Sequence, residues 1–141
     1  MRINTDAAIS AQMVRTRLGI IARNWCGEIV KVKGITERRR GEAATEETLA
    51  IRGALEMAQG AGWTNIEVQS DCKNVVRLIN TDNVQDCTLQ TILEDIDILK
   101  KSIDSCNFSF VPRTTNGCSH VMAQLAVKSI RNIEWEGSFP T

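Results

Sequence analysis

At 141 residues the chain has the length of one domain with a single core, and it holds no apolar run approaching the roughly 18 residues needed to cross a bilayer. Its 17 basic side chains balance 17 acidic ones, which excludes a global positive field drawing it to a phosphate backbone and leaves any nucleic-acid contact to local groups. Five scattered cysteines (Cys26, Cys72, Cys87, Cys106 and Cys118), with no Cys-x-x-Cys pair and a single histidine, His120, exclude a zinc site of ordinary ligand spacing and fit reduced thiols in an intracellular compartment, nuclear or cytoplasmic, rather than secretion.

The stretch from Met1 to Asp6 turns polar at once, unlike a secretory signal. This abrupt start, with the loose Ser138-Phe139-Pro140-Thr141 end, suggests a domain excised from a longer parent. Residues 2 to 9 read as a strand, with Ile3, Thr5 and Ala7 on one face and Asn4 and Asp6 on the other. Arg17 to Arg23 and Glu28 to Val32 read as two more strands around Asn24-Trp25-Cys26-Gly27, whose glycine suits a left-handed turn, so the pair forms an antiparallel hairpin. The Arg38-Arg39-Arg40 run beyond it reads as a solvated turn. From Gly41 to Gly60 the period becomes helical, with Ala44, Ile51, Ala54, Leu55 and Ala58 on one stripe and Gly60 as the stop.

Asn65 to Gln69 give a short strand, and Ser70-Asp71 can cap a helix through Val75, Val76, Leu78 and Ile79. Another helix spans about Leu89 to Lys101 on Ile92, Ile96 and Leu99. Phe108, Phe110 and Val111 mark a last strand ended by Pro112, and Asn116 can cap a final helix carrying Val121, Leu125, Ala126 and Ile130. Three strands, then helix, strand, two helices, strand and helix make an α/β chain with an antiparallel meander in front and crossover helices behind, which calls for a mixed sheet.

Three acids sit where this patterning disfavours them: Asp6 inside the first strand, Glu47 four residues before Ile51 on the apolar stripe, and Asp71 where a strand turns into a helix. Singly each has an ordinary explanation: a solvated strand end, a helix-surface pair of Glu47 with Arg40 or Arg52, and an N-cap. Together they read differently. Asp6 and Asp71 can be central neighbours while the first helix crosses one face, and three converging carboxylates raise one another's pKa unless a cation stands among them. Oxygen-only donors suit magnesium or manganese rather than zinc.

Four segments resemble, in order, those of the ribonuclease H superfamily, and most closely the reverse-transcriptase-like ribonuclease H domains abundant in plant genomes and their retroelements. Ile3-Asn4-Thr5-Asp6-Ala7-Ala8 is similar to the first acidic strand, and Glu46-Glu47-Thr48-Leu49-Ala50-Ile51-Arg52-Gly53-Ala54-Leu55 to the acidic helix. Ile66-Glu67-Val68-Gln69-Ser70-Asp71-Cys72-Lys73-Asn74-Val75-Val76 resembles the strand and helix carrying the next acid. Phe110-Val111-Pro112-Arg113-Thr114-Thr115-Asn116-Gly117-Cys118-Ser119-His120, followed by Ala123 and Leu125-Ala126, resembles the closing strand, loop and helix.

The resemblance spans roughly residues 2 to 130, leaving 131 to 141 as a C-terminal extension, and implies a ribonuclease H-like five-stranded mixed sheet flanked by helices. It implies a metal-dependent endonuclease that hydrolyses the RNA strand of RNA/DNA hybrids with two Mg2+ or Mn2+ ions. Asp6 would bridge both ions, and Glu47 and Asp71 would hold the one on the leaving-group side. Many members carry Asp where this chain has His120, which becomes a fourth, weaker ligand or a proton-transfer group and tilts the site toward manganese.

That departure, with the missing glycine-rich approach loop in Ala7-Ala8-Ile9-Ser10-Ala11-Gln12, keeps a second reading open: a catalytically silent nucleic-acid-binding or interaction domain of the same fold. Lys73, Asn74, Arg113 and Asn116 are the candidate nucleic-acid contacts, each equally suited to a cap or a solvated surface. Trp25 and Trp63 read as packing residues rather than base-stacking platforms. The expected partner is an RNA/DNA hybrid, with no membrane, and the expected state is a monomer or part of a larger polypeptide.

Overall fold

The computed structural model describes residues 1–10, 12, 14–39, 41–81, 87–112 and, as backbone, 133–136. The elements run β1 (Arg2–Ser10), β2 (Arg15–Arg23), β3 (Ile29–Glu37), α1 (Ala43–Ala61), β4 (Asn65–Ser70), α2 (Lys73–Thr81), α3 (Cys87–Lys100), β5 (Ser105–Phe110) and β6 (Ile133–Glu136). They form one sheet in the order β5-β4-β1-β2-β3-β6. The meander β1-β2-β3 is antiparallel, whereas β4 runs parallel to β1 and β5 parallel to β4, so the expected five-stranded mixed sheet is present. A sixth strand, from the stretch read as an extension, pairs antiparallel with the outer edge of β3. The final helix expected after Asn116 lies outside the described residues.

The hairpin turn follows its sequence: Gly27 adopts φ 88°, and the Asn24 side chain accepts from the backbone N–H groups of Cys26 and Glu28 at 3.0 Å each. Both hairpin strands outrun their sequence estimates, β2 starting at Arg15 and β3 ending at Glu37, because they keep pairing past the apolar residues that revealed them. Trp25 corrects an expectation, since it stands 58% exposed on the turn, whereas Trp63 does pack against the core.

Helix α1 crosses β1 and β2, burying Ile51, Ala54, Leu55 and Ala58 against Ile3, Ile20, Ile66 and Val68. The approach is close enough that a Cβ on Gly53 would come within 2.8 Å of Ile20 Cδ1. The helix ends two residues later than its sequence suggested. Gly60 is an ordinary helical residue, and Gly62, at φ 73°, makes the left-handed cap, donating to Gln59 O while Trp63 N donates to Ala58 O at 3.0 Å. Outside this stripe α1 is tied to α3 by Arg52, whose Nη1 lies 2.9 Å from Asp95 Oδ2.

The face of the sheet turned away from α1 is more polar. There Asn4 donates to Gln69 at 2.9 Å and accepts from Arg23 at 3.1 Å, joining β2, β1 and β4. Arg17 shares that face, as the cross-strand neighbour of Ala8 and Thr36, and is completely buried. Its Nη1 donates to Thr36 Oγ1, but Nε and Nη2 find no hydrogen-bond partner among the described residues. Between β1 and β2, Val14 holds φ 48°, a left-handed conformation that a β-branched residue adopts only under strain.

Two stability changes are expected. Val14→Gly relieves the strained turn, raising unfolding free energy by about 1 kcal/mol, to be measured by urea denaturation. Arg17→Met, of similar length but with no donors to satisfy, is expected to match or exceed wild-type stability; a clear fall in denaturation midpoint would mean that the guanidinium is paid for by contacts worth more than its burial costs.

Candidate metal centre

Parallel pairing of β1 with β4 sets Thr5 opposite Ser70, so Asp6 and Asp71 stand at the next level, one inside a buried strand and the other just past a strand end. The registry is held by Thr5 Oγ1, which donates to Gln69 O at 3.1 Å. Beyond β4 the chain turns with Ser70 Oγ accepting from Cys72 N at 3.2 Å, so the serine holds the turn that presents Asp71. On the other side of Asp6 the register residue is Gly19, so β2 places no side chain beside the carboxylate. Helix α1 brings Glu47 to the same point.

One ligand oxygen from each of Asp6, Glu47 and Asp71 lies within 4.8 Å of the others. Asp6 and Glu47 are buried and Asp71 is half-buried, so the cluster opens toward solvent on the Asp71 side. A single backbone group orients two of the acids: Ala7 N donates to Asp6 Oδ1 at 2.9 Å and to Glu47 Oε1 at 3.2 Å. Glu47 Oε2 is buried without a hydrogen-bond partner among the described residues. Burial, followed by the charges of Asp6 and Asp71, pushes Glu47 up to about 9, so without a cation this carboxyl keeps its proton at neutral pH.

This donor set fits a divalent cation. It is oxygen-only, it comes from three separate elements, and it includes a buried oxygen with no partner among the described residues. A positive ion held among the three acids would offset the burial and the like charges that raise Glu47's pKa, by supplying opposite charge and a ligand contact.

Asp6, Glu47 and Asp71 are thus brought together, and Arg52, one of the two arginines considered for Glu47, is instead engaged by Asp95 and Glu56, while the other, Arg40, lies outside the described residues. Lys73 and Asn74 are exposed at the start of α2, just past Asp71. Arg113, Asn116 and His120 lie outside the described residues.

The sequence reading missed Glu46, which is 1% exposed and accepts two bonds from Arg39, Nε to Oε1 at 2.8 Å and Nη2 to Oε2 at 2.9 Å. Arg38 and Arg39 are both exposed, in keeping with a solvated turn, but the Arg39 guanidinium is also held by the buried Glu46. The available signal was a pair of adjacent acids in the first turns of a largely apolar helix, preceded by a basic run.

The chain matches the family model described as reverse transcriptase-like over residues 4–126. No curated protein matches it. Among solved structures it is similar to ribonuclease H1 from the halophilic archaeon Halobacterium salinarum, with 24% identity, a TM-score of 0.83, and 90% of this chain and 96% of that one covered. LC11-RNase H1, from a compost metagenome and solved in complex with an RNA/DNA hybrid, is similar at 20% identity and TM-score 0.81, with 90% and 96% covered. The foamy viral protease-reverse transcriptase, also in complex with an RNA/DNA hybrid, is similar at 14% identity and TM-score 0.72, over 89% of this chain and 19% of that one.

The raised Glu47 pKa makes a signed prediction for stability in chelator. Between the ordinary value of 4.5 and about 9 the folded chain binds more protons than the unfolded one. Stability is therefore fully present below that window and falls as pH rises through it, by at most about 1.4 kcal/mol per pH unit. Glu47→Gln is expected to flatten this decline and to be more stable than wild type at pH near 8, as read by denaturation in EDTA across the window.

Proposed function

The chain belongs to the reverse transcriptase-like family, within the ribonuclease H superfamily, and from that premise we propose that it is a divalent-metal-dependent endonuclease cutting the RNA strand of RNA/DNA hybrids. The observation that carries this reading is the convergence of Asp6, Glu47 and Asp71, three acids from β1, α1 and the end of β4, on one partly open point. The substrate class is supported by the hybrids bound in two of the similar structures.

In this reading Asp6, Glu47 and Asp71 hold Mg2+ or Mn2+, with His120 as a fourth ligand or proton-transfer group. Bound divalent cations supply the positive charge that stabilises an in-line displacement at a phosphodiester. The protein's own contribution is largely preorganisation. Ala7 N–H keeps Asp6 and Glu47 turned toward one another, and the buried sheet beneath them keeps water from screening their charge. Glu47 would have to give up its proton to hold a cation, so cation affinity is expected to rise with pH. Lys73 and Asn74, with Arg113 and Asn116, are proposed to meet the nucleic-acid backbone, which a chain of zero net charge must do through local groups.

End-labelled hybrid incubated with Mg2+ or Mn2+ tests the proposal. Wild type is expected to cut the RNA strand faster with Mn2+, Asp6→Asn to abolish cleavage, and His120→Asp to increase it, most in Mg2+. Equal cleavage by wild type and Asp6→Asn would sink the assignment, and hybrid binding with no cleavage in either metal would make this a binding module.

A further inference from the structure

Glu46 and Glu47 are consecutive residues on a helix, so their side chains diverge by about 100°, yet both are buried. Glu47 turns to the metal centre, and Glu46 turns to the loop that leads into α1. That helix begins without the usual device, because its N-cap residue Glu42 makes no side-chain cap hydrogen bond. The beginning of α1 is held by another set of contacts. Arg39 grips both oxygens of Glu46, at 2.8 and 2.9 Å, in the fork geometry that fixes orientation as well as distance. The carboxylate occupies the space a side chain at Gly41 would need, since a Cβ there would fall 1.9 Å from Glu46 Oε1.

Thr16 of β2, itself fully buried, locks the loop on both sides of this contact: its hydroxyl donates to Arg39 O at 2.8 Å and accepts from Gly41 N at 3.2 Å. Among the described residues the other acid facing Arg39 is Glu37, whose Oε2 lies 3.7 Å from Nη1.

We propose that Arg39 and Glu46 are a positioning pair for the metal centre: their two-bond ion pair, seated over Gly41 and anchored to β2 through Thr16, sets the rotation of α1 that aims Glu47 at Asp6 and Asp71. The proposal rests on the metal-centre reading above. Glu47 is the one of the three acids carried on a helix rather than on or beside a strand, so rotation of α1 is the freedom that would carry it away from Asp6 and Asp71. The Arg39 clamp, one residue from Glu47, opposes that rotation directly. In this role the pair acts only through where it holds Glu47.

Mn2+ titration calorimetry on the full chain provides the test, with hybrid cleavage as a second readout. Arg39→Met is expected to weaken Mn2+ binding about tenfold or more, and saturating Mn2+ to return kcat toward wild type because the ligands themselves are intact. Adding Glu46→Gln to Arg39→Met is expected to cause no further loss, since the two residues act as one unit. Gly41→Ala keeps both charges but displaces the Glu46 carboxylate, so it is expected to give the same loss and to serve as the test if Arg39→Met does not fold. Folded Arg39→Met and Gly41→Ala proteins that bind Mn2+ within about twofold of wild type, while Glu47→Gln loses binding, would overturn the clamp and leave the metal centre standing. Undiminished binding by Glu47→Gln would remove the metal centre, and the clamp with it.

Discussion

Three carboxylates held within 4.8 Å of one another, two of them buried, are the constraint around which this domain is arranged. Nothing in ordinary packing favours such a cluster, because burial and mutual repulsion both act against the charged forms, and Glu47 records both effects in its raised pKa. The cluster persists because its members sit on elements whose positions are settled by unrelated forces. Asp6 lies on the central strand, flanked by β2 and β4, and cannot shift without breaking two ladders. Asp71 follows from the parallel pairing of β4 with β1. Glu47 follows from α1, whose apolar stripe is buried against the sheet.

The weakest of these anchors is the helix, since side-chain packing tolerates rotation better than a hydrogen-bonded ladder does. The beginning of α1 carries a second buried acid, Glu46, with its own arginine, and the loop between them is pinned to β2 by Thr16. A largely buried acid gripped by a guanidinium gives direction at modest energetic gain, which suits an orienting role better than a stabilising one. Arg17 illustrates the opposite case on the other face of the sheet, a buried guanidinium with two nitrogens unpartnered among the described residues.

Much of this was legible in the chain. The strands announced themselves by alternation and the helices by their three-and-four spacing, so β1, β4, α1, α2 and α3 fell close to their expected bounds. The errors came where a local signal had two equivalent carriers or where pairing outran pattern. Gly60 and Gly62 are equally able to stop a helix, and only the chain path beyond Ala61 decides that Gly62 turns left-handed. Residues 15, 16 and 33 to 37 carry no clear alternation, yet they pair because their neighbours do. Trp25 was taken for packing on the strength of its size, but a hairpin tip projects into solvent whatever residue occupies it.

By itself the sequence singled out the acids that converge, at positions 6, 47 and 71, placed against the grain of strand, stripe and turn, together with the family motifs around them. Hydrophobic periodicity and local propensity act over a few residues, so they can be read one segment at a time. What only the tertiary structure decided was convergence, because the approach of residues 41 and 65 positions apart depends on sheet order and on helix rotation. The same holds for Arg39 and Glu46. In the sequence they are a basic run and one acid among several, and they became a fork-shaped ion pair only when the loop folded back over Gly41 and Thr16 closed it against β2.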